Sequence, residues 1–216
     1  MEEIQPEKEA PEFSMDEILT DIWVRPKQVI EFIHRRHFDK NYYLLLFLVG
    51  VVGGLDRAAR NNLGDTNDLV SIILMSVVIS GGLGWISYYI YSAFVSISGN
   101  WMGGKAKTAD VMRVVTYSSI PLILSLLVLV LQIAVFGIDF FRTGYDPYSS
   151  GVVGVIVGIL GGIVQIILSL WTAIIFVIGI SVIQKFSIGK AILNVLFPMI
   201  VLIVFVAMIF VLGDLF

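Results

Sequence analysis

The sequence contains no cysteine. Disulfides, thiolate metal sites and thiol nucleophiles are therefore excluded together. Charge is also scarce. Asp, Glu, Lys and Arg make up 14% of the 216 residues, where a soluble domain carries roughly a quarter. Histidine occurs only as His34 and His37, and neither HExxH nor GxSxG is present. The N-terminal stretch lacks the basic-then-apolar order of a signal peptide. It holds Glu2, Glu3, Glu7, Glu9 and Glu12 instead, so the first span is expected to direct insertion itself.

What the chain has in surplus is apolar surface, with 57% of its residues hydrophobic. A soluble fold covers itself with polar groups, and here there are too few of them. Lipid is the solvent that tolerates the excess. Five apolar stretches, 42–55, 69–97, 114–138, 152–183 and 191–213, follow a polar start. A bilayer core takes about 20 apolar residues per helix. Backbone in lipid must be hydrogen-bonded internally, as helices or as a closed barrel. Barrel strands alternate apolar and polar residues, and these stretches do not. The expected fold is all-α and polytopic, with five membrane-spanning helices over 41–216.

Ahead of them, 1–13 reads as a disordered acidic tail and 14–40 as a cytoplasmic amphipathic helical segment. Ser14 with Glu17 fits a capping box, and Pro26 breaks this helix or opens a second. Val29, Ile30 and Ile33 line one side, while Lys27, Arg35 and Arg36 line the other. Two placements suit such a segment, with Trp23, Lys27, Arg35 and Arg36 as interfacial residues in the first. It lies in the headgroup region, or it packs on loops of the same protein.

Orientation follows from Lys and Arg. Eleven of the fourteen fall in the N-terminal segment and the second and fourth connections. Arg57, Arg60 and Arg142 fall in the first and third. The positive-inside rule puts the N-terminus in the cytoplasm and Phe216 outside. Gly154, Gly158 and Gly162 form one small-residue run at helix-packing spacing. Ser76, Ser80 and Gly84 form another, and Gly50 with Gly54 a third. Such faces let backbones approach closely, within one chain or between two copies. Pro121 and Pro198 are expected to kink their helices.

Catalytic motifs fail on inspection. GNWMGGKA (99–106) spaces Gly99, Gly104 and Lys105 like a phosphate-binding loop, but Ala106 stands where a magnesium-binding hydroxyl belongs. His34 and His37, with Asp39 nearby, lack a fourth metal ligand. No ionisable residue lies deep in a span, where coupled transporters keep one. Gln132 and Gln165 fit interhelical hydrogen bonding. No cofactor, nucleotide or nucleic acid is implied. The expected partners are the bilayer and either another membrane protein or a second copy.

The stretch GNWMGGKAKTADVMRVVTYSSIP, with Gly103, Gly104, Lys105, Ala106, Tyr117 and Pro121, resembles the Yip (Ypt/Rab-interacting) membrane protein family in its prokaryotic form. WVRPKQVIEF (23–32) is similar to that family's pre-membrane helix, and QKFSIGKAILNVLFP (184–198) to the start of its last span. The DLYGP-type motif of eukaryotic members, which act in vesicle traffic with small GTPases, is absent. The resemblance implies a bacterial inner-membrane protein without catalytic residues. The expected function is a non-enzymatic scaffold or membrane-organising factor. A passive transporter or lipid-translocating protein is the alternative.

Overall fold

The computed structural model describes residues 12–213. Among these, the regular structure is helical and no strand occurs. Two short helices, α1 (Met15–Asp21) and α2 (Pro26–Arg36), precede α3 (Tyr42–Arg60), α4 (Leu69–Leu74) and α5 (Trp85–Trp101). Then come α6 (Thr108–Ser118), α7 (Ile120–Phe136), α8 (Gly151–Gln184) and α9 (Ile188–Gly213).

The capping box forms at the start of α1. The Ser14 N–H donates to Glu17 at 2.7 Å, and the Glu17 N–H donates to the Ser14 hydroxyl at 3.3 Å. Pro26 opens α2, where its missing N–H costs nothing and its fixed φ suits the first turn. His37 and Asn41, both with positive φ, then turn the chain into α3.

Three helical stretches are long and apolar enough to cross a membrane: Tyr42–Arg60, Ile120–Phe141 and Pro147–Gln184. Leu69–Gly81 and Trp85–Trp101 make a fourth if this pair, bent by 42°, counts as one span. The apolar stretch Ile188–Val201 of α9 is shorter.

Two of the expected single helices are interrupted, each for a local reason. After α4 the chain widens into a π-helical segment, Met75–Gly81. It packs on α3 at near backbone contact. A Cβ on Gly50 would stand 2.3 Å from the Ser80 carbonyl oxygen, and one on Gly54 would stand 2.6 Å from Ser80 Cβ. The 114–138 stretch splits at Ser119 into α6 and α7, with Pro121 in the first turn of α7. Proline supplies no N–H and crowds the carbonyl four residues back. The next N–H, of Leu122, donates to Thr172 of α8 at 3.1 Å instead. Pro121 thus starts a helix rather than kinking one, whereas Pro198 lies inside α9.

The interior forms two clusters. One joins α1 and α2 to the adjoining ends of α6 and α8 through Ile18, Ile22, Ile30, Ile33, Val111, Tyr117 and Ile180. The other lies at the far end around Val52, Leu55, Ile72, Leu129 and Phe141. The expected tail falls outside the described residues except for its last two. Phe13 is buried, with its ring edge-on to Phe32 at 5.6 Å, and Glu12 pairs with Arg36.

Candidate functional site

The cap formed by α1 and α2 is fastened to the bundle by its apolar side. Val29 and Ile30 are fully buried and Ile33 is 1% exposed. The stripe faces protein, packed on the helices α6 and α8 and not on loops. Lys27, Arg35 and Arg36 stay exposed on the opposite side. Trp23 is half-buried, and its indole N–H donates to the Leu19 carbonyl at 2.9 Å. A groove of about 780 Å³ runs along this outer side, with Phe32 and Val182 in its lining and Gln28, Glu31, His34, Arg35 and Lys185 around them.

Polar groups complete the junction. Arg113 of α6 donates through Nε to Asp39 at 2.8 Å and through a terminal nitrogen to the other carboxylate oxygen at 3.3 Å. This forked pairing uses the fixed geometry of the guanidinium. The hydrogen bonds to Asp39 raise the pKa of Arg113. Asp110, largely buried, accepts from the Lys107 N–H at 3.0 Å and lies 3.6 Å from Arg113 and 3.4 Å from His34. His37 accepts from Arg113 at 3.4 Å. His37 is thereby engaged at the seam between α2 and α6, while the buried His34 Nδ1 stands beside Asp110 without a hydrogen bond. No three His, Asp or Glu side chains among the described residues are placed to hold a metal.

The residues of the Gly-Gly-Lys-Ala turn lie beside this seam. Gly103 adopts φ +87°, a left-handed conformation that glycine takes without a Cβ penalty. Gly104 and Gly99 frame the buried Gln184 side chain at the end of α8. A Cβ on either would stand 2.0–2.1 Å from its amide. Gln184 Oε1 accepts from the Ala106 N–H at 3.0 Å, and the Ala106 carbonyl accepts from Ser96 at 2.9 Å. Asn194 of α9 donates to the Val95 carbonyl at 3.0 Å and to Ser98 at 2.7 Å. Lys105 projects outward, exposed. Tyr117 is fully buried, and its hydroxyl donates to the Lys40 carbonyl at 2.8 Å. It therefore holds the link between the cap and the first span. The turn is thus a meeting point of α5, α6, α8 and α9, and its glycines admit a glutamine.

The small-residue runs divide. Ser80 meets Gly50 and Gly54, and a Cβ on Gly84 would lie 3.1 Å from the Gly50 Cα. On α8, Gly154 and Gly158 stand against Pro147 of the preceding loop, 2.5 and 2.6 Å from a built Cβ. Nothing lies within 4 Å of a Cβ on Gly162. Gly161 takes the packing position instead, against Gln132 at 2.7 Å. Gln165 donates to Gln132 at 3.0 Å, bridging α7 and α8. Asp110, Gln184 and Asn194 carry no local motif that marks them as junction residues. An asparagine inside an apolar run was the available signal for Asn194, because lipid makes an unpaired amide costly.

No curated protein and no solved structure matches the chain. The family model described as the Yip1 domain does match, over residues 20–209. That match runs from the end of α1 into α9 and takes in the cap, the glycine turn and the apolar bundle. The chain is a membrane protein, and it belongs to the Yip1 domain family.

Proposed function

We propose that the protein is a non-enzymatic scaffold or membrane-organising factor of a bacterial inner membrane. It crosses five times, with the cap in the cytoplasm and the C-terminus outside. The observation that carries this reading is the fixed cap. Its apolar stripe is spent on α6 and α8, its seam is closed by the Arg113–Asp39 pair, and its outer groove remains charged and open. Such an element holds a polar surface rigidly beside a bilayer and offers it to a partner. The cationic excess of Arg35 and Lys185 over Glu31 suits an acidic segment of another membrane protein, or of a second copy.

The charge distribution supports the orientation. Lys105, Lys107 and Lys185 gather at the cap end, which the Ala106–Gln184 bond holds together. Arg142 is at the far end, where it donates to the Gly64 carbonyl at 3.2 Å. The fifth crossing is supported by α9, which continues as one helix to Gly213.

The test is photo-cross-linking in native membranes from a benzophenone amino acid placed at Gln28. Discrete protein adducts are expected. They should be lost when Arg35 and Lys185 are both changed to glutamate. Absence of protein adducts, together with solute flux in reconstituted vesicles, would replace the scaffold reading with passive transport.

A further inference from the structure

The bend between α4 and α5 leaves a groove of about 530 Å³ against α3 and α6, lined by Leu46, Phe47, Gly82, Trp85 and Tyr89. Toward the cap it meets a smaller recess of about 240 Å³, which adds Asp39 and Arg113. The two share Tyr42, Tyr43 and Ala109, so the apolar groove and the charged recess adjoin.

The recess has a particular chemistry. The Asp39 side chain is 55% exposed although it binds Arg113, so carboxylate lone pairs remain open to an approaching cation. Tyr43 is 82% exposed, and its ring stands edge-on to that of Tyr42 at 5.3 Å. A carboxylate beside aromatic rings attracts an ammonium group, by charge and by the ring quadrupole. Arg113, on the other wall, carries more N–H donors than its present partners take and suits a phosphate. An anionic lipid with no ammonium group would add a negative charge where Arg113 is already shared between Asp39 and Asp110. The apolar part suits an acyl chain, because its walls expose apolar side chains such as Phe47, Trp85 and Tyr89.

We propose that this groove binds one bilayer phospholipid whose headgroup carries both a phosphate and an ammonium. The ammonium sits at Asp39 and the Tyr42–Tyr43 pair, the phosphate faces Arg113, and a chain lies along Phe47, Trp85 and Tyr89. This inference rests on membrane residence and not on the scaffold reading.

Trp85 lines the groove and reports on it directly. The experiment uses the full chain in vesicles, with Trp23, Trp101 and Trp171 replaced by phenylalanine. Vesicles are doped with chain-brominated phosphatidylethanolamine or with phosphatidylglycerol carrying the same chains. Quenching of Trp85 is expected to favour the ethanolamine lipid on the order of threefold, as one ammonium–ring contact allows. Asp39→Asn and Tyr43→Ala should each remove that preference. Tyr43 is mostly exposed, so its variant keeps the fold even if Asp39→Asn does not. Gly82→Leu should lower quenching by both lipids, because a Cβ there meets nothing within 4 Å and the side chain grows into the groove. Equal quenching by the two lipids overturns the proposal. So does stronger quenching by phosphatidylglycerol, or a preference that survives Tyr43→Ala.

Discussion

Gln184 Oε1 accepts a hydrogen bond from the backbone N–H of Ala106 at 3.0 Å, tying the end of α8 to the turn between α5 and α6. The bond exists because Gly99 and Gly104 leave room for the amide. Gly104→Ala should push Gln184 off Ala106 and leave a buried N–H unpaired, at a cost of roughly 1–3 kcal/mol. Gln184→Ala in the same chain should relieve the clash but not restore the bond. Thermal unfolding in detergent is therefore expected to be non-additive across the double-mutant cycle. Additive losses would separate the glycine from the glutamine.

Gly158 and Gly162 sit one helical turn apart on α8, yet only Gly158 is crowded, 2.6 Å from Pro147 for a built Cβ. Gly158→Leu should lower the melting temperature or the yield of purified protein. Gly162→Leu should be close to neutral, since its side chain enters open space facing lipid. Equal effects would count against loop packing as the reason for the glycine.

The cap depends on its buried stripe. Ile30 is fully buried, and truncation to alanine should cost about 2–5 kcal/mol through lost transfer energy and a residual cavity. Limited proteolysis of the α1–α2 region in Ile30→Ala is expected to run faster than in the parent. Val24→Ala, at a position 73% exposed, should leave the rate unchanged.

At the far end, the Asp65 carboxylate accepts from the Thr143 hydroxyl at 2.6 Å and from its N–H at 3.1 Å. These bonds hold its pKa below the ordinary carboxylate value. A folded pKa below the unfolded one stabilises the fold above the unfolded value, about 3.9. That stabilisation fades as pH falls below it through the folded value. Thr143→Val should therefore lower stability near neutrality, where the hydroxyl bond acts in full, change little in acid, and so flatten the acid limb of the stability–pH curve. An unchanged acid limb would remove Asp65 from the account.

Membrane orientation has a direct reporter. An alkaline phosphatase fusion after Ser149 should be active and one after Lys107 inactive, as the Lys and Arg distribution requires. The reverse pattern would put the cap outside.

Composition and charge order alone determined that this chain lives in lipid as helices. The reason is simple: too few polar groups exist to cover a soluble surface, and unbroken apolar runs leave the backbone no partner but itself. The Ser14–Glu17 box was legible too, since it is settled within a few residues, whereas Pro26 could equally have broken one helix or opened another. The glycine turn was visible as a motif, and the Yip resemblance it carried agrees with the family match. What these residues do was not visible. That Gly99 and Gly104 make room for Gln184 is a relation across 80 residues of chain or more, and no local pattern encodes it. The fate of the Val29–Ile30–Ile33 stripe was open for the same reason. Lipid and the faces of α6 and α8 both bury apolar surface, and only the tertiary fold chose between them. The break at Ser119 also needed the structure, because Thr172 of α8 supplies the partner that lets the chain leave the helical path there. Gly161 replaced Gly162 at the α7–α8 contact because helix rotation is set by the Gln132–Gln165 bond and the surrounding packing, neither of which spacing alone reveals.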